Sequence, residues 1–241
     1  MRIVTKYQSP NYDMRESVID TIVIHYTDMV DDAETLALLC NPKAKVSAHY
    51  FINREGIIYQ LVDDDKRAWH AGISYWRGKS KLNDNSIGIE LANPGHLNGY
   101  IDFTKSQMSS LISICQSLID KHQIKPINIV GHSDIAPDRK KDPGELFDWK
   151  LLSDNNIGIY HDIEILSESE ILYHDNDYGI SDIQKKLSSI GYKIDITDVF
   201  DKQTSEVIIA FKRRFIKNKL TNDWDITCQK ILDYLYSRYI A

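Results

Sequence analysis

Ile127-Asn128-Ile129-Val130-Gly131-His132-Ser133-Asp134-Ile135-Ala136-Pro137-Asp138-Arg139-Lys140-Lys141-Asp142-Pro143-Gly144 is the stretch on which the reading of this chain turns. The apolar run from Ile127 to Val130, around Asn128, has the β-branched character of a buried strand. It ends at His132, and a polar loop then returns Lys140 and Asp142 to the same place. Pro143 biases Asp142 toward an extended backbone, so its carboxylate is held on a defined path. A catalytic zinc site takes three protein ligands from His, Asp, Glu or Cys and keeps a fourth position open. His132 and Asp142 supply two, and His25 is the third candidate, at the end of the apolar run Thr21-Ile22-Val23-Ile24-His25. A single histidine at a strand end is more often a packed residue with a satisfied hydrogen bond. Two of them with Asp142 favour a metal site.

Ser86-Ile87-Gly88-Ile89-Glu90-Leu91 reads as a central strand. Alternation puts Ile87, Ile89 and Leu91 on one face and leaves Gly88 and Glu90 on the other. A carboxylate in such a strand is costly to bury unless it is paired or near a metal, and the alternative is a solvated outer face. Lys140 lies in a charged run that composition alone assigns to a solvated loop; its case rests on standing beside Asp142. His49 starts a strand and reads as a packed histidine. Trp69-His70-Ala71-Gly72 sets an aromatic ring beside a histidine and a glycine, which suits a sugar or peptide platform, with a core role for Trp69 as the alternative.

Val18 to Tyr26 is expected as a buried strand and Asp32 to Leu39 as a short helix with an acidic first turn. His49–Asn53 and Ile57–Val62 read as a hairpin turning at Arg54-Glu55-Gly56. Thr104-Lys105-Ser106-Gln107 matches a capping box, and Leu111, Ile112, Cys115, Leu118 and Ile119 behind it line one helical face. This order of elements predicts an α/β fold, a mixed central β-sheet flanked by helices. Near residue 153 the sequence turns polar and acidic. From Tyr178 three apolar helical faces follow: Ile180, Ile183, Leu187 and Ile190; Val207, Ile208, Phe211 and Phe215; Ile231, Leu232, Leu235 and Tyr239. The expected division is a domain over 1–162, a connector over 163–177 and a small three-helix domain over 178–241 that folds on its own apolar faces.

The net charge of −6 leaves no electrostatic footprint for nucleic acid. Cys40, Cys115 and Cys228 are too scattered for a disulfide framework or a paired-cysteine metal site. No run approaches the ~18 apolar residues of a membrane span. Asp13, Arg15, Glu16 and Asp20 interrupt any signal-peptide core near the N-terminus, so a cytoplasmic chain, another export route or a trimmed leader is expected. Nothing in the sequence sets an oligomeric state.

With these residues in hand, the chain resembles the zinc-dependent N-acetylmuramoyl-L-alanine amidases of the AmpD/AmiD type, relatives of the peptidoglycan recognition proteins. The resemblance runs over about residues 15 to 162, through Ile22-Val23-Ile24-His25-Tyr26-Thr27, Val46-Ser47-Ala48-His49-Tyr50-Phe51-Ile52, Arg67-Ala68-Trp69-His70-Ala71-Gly72, Ser86 to Glu90, Gly131 to Pro137 and Lys140 to Gly144. It implies one Zn²⁺ ion held by His25, His132 and Asp142, with Glu90 as the catalytic acid/base and Lys140 as the cation beside the metal. Some relatives carry a tyrosine where Ala48 stands, which assigns the proton transfer here to Glu90 alone. Trp69 and His70 are the candidate substrate contacts. The C-terminal residues resemble a three-helix peptidoglycan-binding domain, through Ile183 to Leu187, Gly191-Tyr192 and Phe200 to Thr204, although the usual turn glycine is missing near Asp198-Val199-Phe200. The implied partner is peptidoglycan or a soluble muropeptide. The binding domain points to the cell envelope or periplasm, and the missing leader to the cytoplasm. The competing expectations are a non-catalytic recognition protein on the same fold and a zinc peptidase acting within the stem peptide.

Overall fold

The computed structural model describes residues 2–164 and 179–241. The expected connector, 163–177, falls outside the described residues except for Ile163 and Glu164. Two short strands, β1 (Ile3–Val4) and β2 (Tyr12–Met14), precede β3 (Thr21–Tyr26). Val18, expected within that strand, is exposed, and pairing begins at Thr21. Helix α1 (Asp32–Leu39) starts where Asp31 accepts the backbone N–H of Glu34. The hairpin of β4 (Tyr50–Ile52) and β5 (Ile58–Gln60) turns at Gly56, whose φ of 81° suits a residue without Cβ. Next come β6 (Lys66–Ala68), β7 (Tyr75–Trp76), β8 (Lys79–Ser80) and β9 (Ser86–Leu91).

A four-residue turn of helix, α2 (Gly95–Asn98), leads to the long α3 (Lys105–His122). Its N-terminus is closed as expected: Thr104 Oγ1 accepts from Gln107 N, and Thr104 N donates to the Gln107 side chain. Pro126 sets a 3-10 turn through Asn128, so the following strand is β10 (Ile129–Gly131), shorter than the apolar run implied. Two short helices, α4 (His132–Ile135) and α5 (Trp149–Asp154), complete the first domain.

Six strands form the main sheet in the order β1-β5-β4-β9-β3-β10. It is mixed: β4, β9, β3 and β10 run parallel to their neighbours in that row, and β4 pairs antiparallel with β5. Ile22, Ile24, Ile87, Ile89 and Leu91 face α3 and pack against Met108, Leu111, Ile114, Cys115 and Leu118. Register pairs His25 with Glu90 and Val23 with Gly88, on the opposite face. The two functional side chains therefore stand together at the carboxyl ends of adjacent parallel strands, where sheets of this kind open into clefts.

The C-terminal helices form where the periodicity puts them: α6 (Ile180–Ile190), α7 (Lys202–Phe215) and α8 (Ile226–Tyr239). Gly191 ends α6, and Asp201 caps α7 by accepting from Thr204 N. The expectation of a self-contained module does not match what these helices bury. Ile183, Leu187, Val207, Phe211, Ile231 and Leu235 belong to one continuous apolar cluster with Val23, Trp76, Val130 and Ile135 of the first domain. Tyr192 meets the Trp76 ring edge-on at 5.2 Å, and the Trp76 indole donates to the Ile127 carbonyl at 3.1 Å. The three faces seen in the sequence are thus partly faces toward the sheet.

A chain ending at Glu164 would uncover Val23, Trp76, Val130 and Ile135. Each large apolar side chain returned to water costs about 1.5–3 kcal/mol, and each kcal/mol shifts the melting temperature of a domain this size by about 2–4 °C. Calorimetry should find the truncated chain melting at least ~10 °C below the full chain, or without a cooperative transition. Equal melting temperatures would show that the shared cluster adds nothing to the first domain.

Candidate active site

Three buried side chains converge at the end of the sheet. His25 leaves the end of β3, His132 opens α4 directly after β10, and Asp142 returns on the loop. That loop is closed at its base, where Ser133 N donates to the Asp142 carbonyl at 2.9 Å. His25 Nδ1 and His132 Nδ1 lie 2.9 Å apart, and each is 3.0 Å from Asp142 Oδ2. Sequence positions 107 and 117 residues apart are brought together by one strand pairing, β3 against β10.

The hydrogen bonds behind these atoms decide where the protons are. His132 Nε2 lies 3.1 Å from the Ala71 carbonyl, which can only accept. This nitrogen carries the proton, and in a neutral ring Nδ1 is left bare. For His25 the argument runs through two further residues. Ser86 Oγ donates to the Leu82 carbonyl, so at 3.2 Å it accepts from His70 Nε2. Burial pushes His70 well below the usual histidine range, so the ring is neutral and its Nδ1 accepts. His25 Nε2 then donates to His70 Nδ1 at 3.0 Å, and His25 Nδ1 also faces the centre without a proton. Burial, reinforced by His132, lowers His25 to about 4.

Burial alone would raise Asp142, but the charge and hydrogen bonds of His132 and His25 hold it well below the usual carboxylate range. Two imidazole nitrogens and a carboxylate oxygen thus point at one another within 2.9–3.0 Å. His25, His132 and Asp142 form a cluster that could hold a metal ion. The outer ring nitrogens donate to Ala71 and to His70, an arrangement that fixes tautomer and ring orientation in metal sites.

Gly88 makes the His70 contact geometrically feasible. A Cβ at this position would sit 2.4 Å from His70 Cγ. The glycine of β9 is therefore the gap through which the imidazole reaches His25. His49 is the packed histidine its position suggested: its Nδ1 accepts from Gly88 N at 3.0 Å, and its Nε2 faces the Lys66 carbonyl at 3.1 Å.

The cluster opens into a cleft of about 390 Å³ whose lining includes Glu90, His96, Arg139, Lys140 and Asp28. Glu90 is on the cleft side of β9, and its Oε2 is buried without a hydrogen-bond partner. Burial and then the charge of Asp142 raise its carboxyl well above the usual range, against the opposing pull of Lys140. Lys140 and Arg139 of the loop line the same cleft, and Lys140 is near enough for its charge to act on Glu90. His96 lines it too, held between Tyr26 Oη at 2.7 Å and the Glu145 carboxylate at 3.2 Å.

Of the two substrate-contact candidates, His70 reaches the cleft lining but gives both nitrogens to His25 and Ser86. Trp69 is not brought to the cleft; its indole donates to Asp13 Oδ2 at 2.7 Å, alongside Arg67. Sequence reading passed over Ser86, Arg139 and Asp134. Arg139 Nη2 donates to the Ala71 carbonyl, the same oxygen that orients His132. Their only local signal was adjacency to the quoted motifs.

Fold and site together describe a cleft with a candidate metal-ligand cluster at its floor, and comparison with known proteins gives the class. A family model described as N-acetylmuramoyl-L-alanine amidase matches residues 15–145, and the PG_binding_1 (peptidoglycan binding) model matches residues 176–215. The N-acetylmuramoyl-L-alanine amidase AmiD of Escherichia coli is 34% identical over 235 residues, covering 92% of this chain and 83% of that protein. Its structure, in complex with the substrate anhydro-N-acetylmuramic acid-L-Ala-D-gamma-Glu-L-Lys, superposes with a TM-score of 0.80 over 92% of this chain and 90% of the other. AmpDh3 of Pseudomonas aeruginosa, in complex with an anhydromuramic pentapeptide, is 30% identical with a TM-score of 0.82, over 92% and 93% of the two chains. The E. coli 1,6-anhydro-N-acetylmuramyl-L-alanine amidase AmpD is 49% identical over 105 residues, 44% of this chain and 55% of that protein. This chain belongs to the N-acetylmuramoyl-L-alanine amidase family.

The buried neutral imidazoles give the metal-free protein a defined pH dependence. His25 is lowered to about 4, and His49 to about 3 by burial and then by Arg15. Unfolded, both titrate near 6.5. Between these values the unfolded chain binds more protons, so stability falls as pH drops from 6.5 toward 4. Two such groups give a slope approaching ~2.7 kcal/mol per pH unit in the lower part of that window. Urea titrations of chelated protein at pH 7, 6 and 5 should show a growing loss; a flat profile would mean that these rings are solvated.

Proposed function

We propose that this chain hydrolyses the amide bond between N-acetylmuramic acid and L-alanine in muropeptides, using one zinc ion held by His25, His132 and Asp142. The observation that carries the reading is the converging trio of ligand atoms beside Glu90, whose buried Oε2 lacks a partner. Zinc matches two nitrogens and one carboxylate oxygen with a position left open, and when bound it polarises a carbonyl and lowers the pKa of water toward ~7. The anhydro-muropeptides in the AmiD and AmpDh3 complexes support the same substrate class here.

Glu90 is the group assigned to move the proton. As carboxylate it takes a proton from the attacking water while oxygen adds to the lactyl carbonyl carbon. It then delivers that proton to the alanine nitrogen as the C–N bond breaks. A group that must act first as base and then as acid works best with a pKa brought toward the working pH, and burial moves Glu90 in that direction. Lys140, lining the same cleft, stands where its charge stabilises the oxyanion of the tetrahedral state. Every residue in these roles precedes position 143, which supports the division into 1–162 as catalytic domain and 178–241 as peptidoglycan-binding module. Match of the module to a peptidoglycan-binding model supports a place at the cell wall, and no described helix is long and apolar enough to cross a membrane.

Asp142→Ala should remove zinc and activity together, because it leaves two imidazoles. A full equivalent of zinc in the purified variant after dialysis against chelator would overturn the ligand assignment. Glu90→Gln should keep its zinc and lose turnover by ~10²–10⁴-fold, the usual contribution of a general acid-base group. Metal analysis beside a chromatographic assay of anhydro-muropeptide cleavage reads both numbers. Turnover within a few-fold of the unsubstituted enzyme would move the proton transfer to another group.

A further inference from the structure

The last turn of α7 carries three consecutive cations, Lys212, Arg213 and Arg214, and all are buried. Lys212 is matched inside the module, by Asp223 at 3.1 Å. The two arginines reach into the first domain. Arg214 Nη1 donates to Asp134 Oδ2 at 2.6 Å and its Nη2 to the Ile129 carbonyl at 3.0 Å, with the guanidinium 4.0 Å over the Trp149 ring. Arg213 lies 3.7 Å from Glu145, the residue that holds His96 in the cleft wall.

Asp134 is the centre of this junction. It is buried two residues after His132, and each of its oxygens is engaged from the module. Oδ1 accepts the Tyr192 hydroxyl at 2.9 Å, and Oδ2 accepts Arg214 together with the backbone N–H of Gly131 at 2.8 Å. Gly131 immediately precedes His132, so the carboxylate closes the turn on which that imidazole rides. Deprived of Arg214, the same carboxylate is a buried anion without its cation, a strongly unfavourable state that favours displacement of the turn.

We propose that Asp134, clamped by Arg214 and Tyr192, is a positioning residue for His132, and that the C-terminal module is thereby part of the metal site. This rests on His132 being a zinc ligand, as proposed above. His132 Nδ1 has two neighbours at 2.9 and 3.0 Å to satisfy, and functional groups of this kind must be held to within ~0.5 Å. The tie comes from a residue 80 positions away in sequence, which makes the module a support of the chemistry as well as an appendage toward polymer.

The test uses the full chain and three variants. Tyr192→Phe deletes one hydroxyl, and Arg214→Lys keeps the charge but loses the fork. Leu232→Ala, in the apolar interior of α8, destabilises the module without a hydrogen bond to Asp134. Zinc affinity is measured by competition with a chromophoric chelator, and kcat and KM on a soluble anhydro-muropeptide, below the melting temperature of each variant. Partners that orient metal ligands typically contribute about 10–100-fold in affinity. Tyr192→Phe is expected near the lower end and Arg214→Lys near the upper, with kcat reduced and KM unchanged. Leu232→Ala should melt earlier and keep its zinc affinity once folded. Folded Tyr192→Phe with zinc affinity and kcat within about two-fold of the unsubstituted protein overturns the proposal, as does an equal loss of zinc affinity in Leu232→Ala. Should Arg214→Lys fail to fold, Tyr192→Phe decides. Failure of the ligand assignment itself looks different: His132→Ala would then bind zinc as tightly as the unsubstituted chain.

Discussion

Three ligand-type atoms, His25 Nδ1, His132 Nδ1 and Asp142 Oδ2, held within 2.9–3.0 Å of one another, are the constraint around which this molecule is arranged. The three come from distant parts of the chain, so the fold has to hold them in place. Adjacent parallel strands provide two of the three origins, and the Ser133–Asp142 backbone bond returns the third. Each imidazole is then locked from behind, His132 by the Ala71 carbonyl and His25 by a chain through His70 and Ser86 to Leu82. That chain passes through the space a side chain at Gly88 would fill, which ties the composition of a central strand to the protonation of a ligand on its neighbour.

Glu90 takes its character from the same strand pairing. Register sets it opposite His25, on the face that α3 does not cover. Its orphaned oxygen and raised pKa follow from being enclosed beside an anion, Asp142, with Lys140 as partial compensation. An unpaired carboxylate is a liability for folding and an asset for proton transfer. The fold tolerates it beside the candidate metal cluster.

The C-terminal helices are joined to this arrangement by two different forces. An apolar cluster runs without a break from α6, α7 and α8 to the back of β3 and β10, and supplies most of the adhesion. Within it, Arg214 and Tyr192 reach Asp134. Buried ion pairs add little net stability compared with apolar packing, but they strongly penalise any arrangement that separates the partners. Adhesion is thus left to the apolar surface and register to the ionic contacts.

What could be read from the sequence was local. Thr104 and Gln107 announce the start of α3, Gly56 the turn between β4 and β5, and Gly191 the end of α6, because caps and turns are made by residues a few positions apart. The trio His25, His132 and Asp142 was legible from residue type at strand ends and from family resemblance, and Glu90 from a break in an apolar alternation. Lys212-Arg213-Arg214, Ser86 and Asp134 carry no local signal of that kind. Their partners, Asp223, Glu145, Leu82 and Tyr192, are set by which surfaces meet. The sequence by itself determined the elements, their caps and the chemical kinds at the site. Tertiary structure alone decided which face of each helix is inside and where each proton goes, since desolvation and hydrogen-bond direction are properties of neighbours that the chain brings from far away.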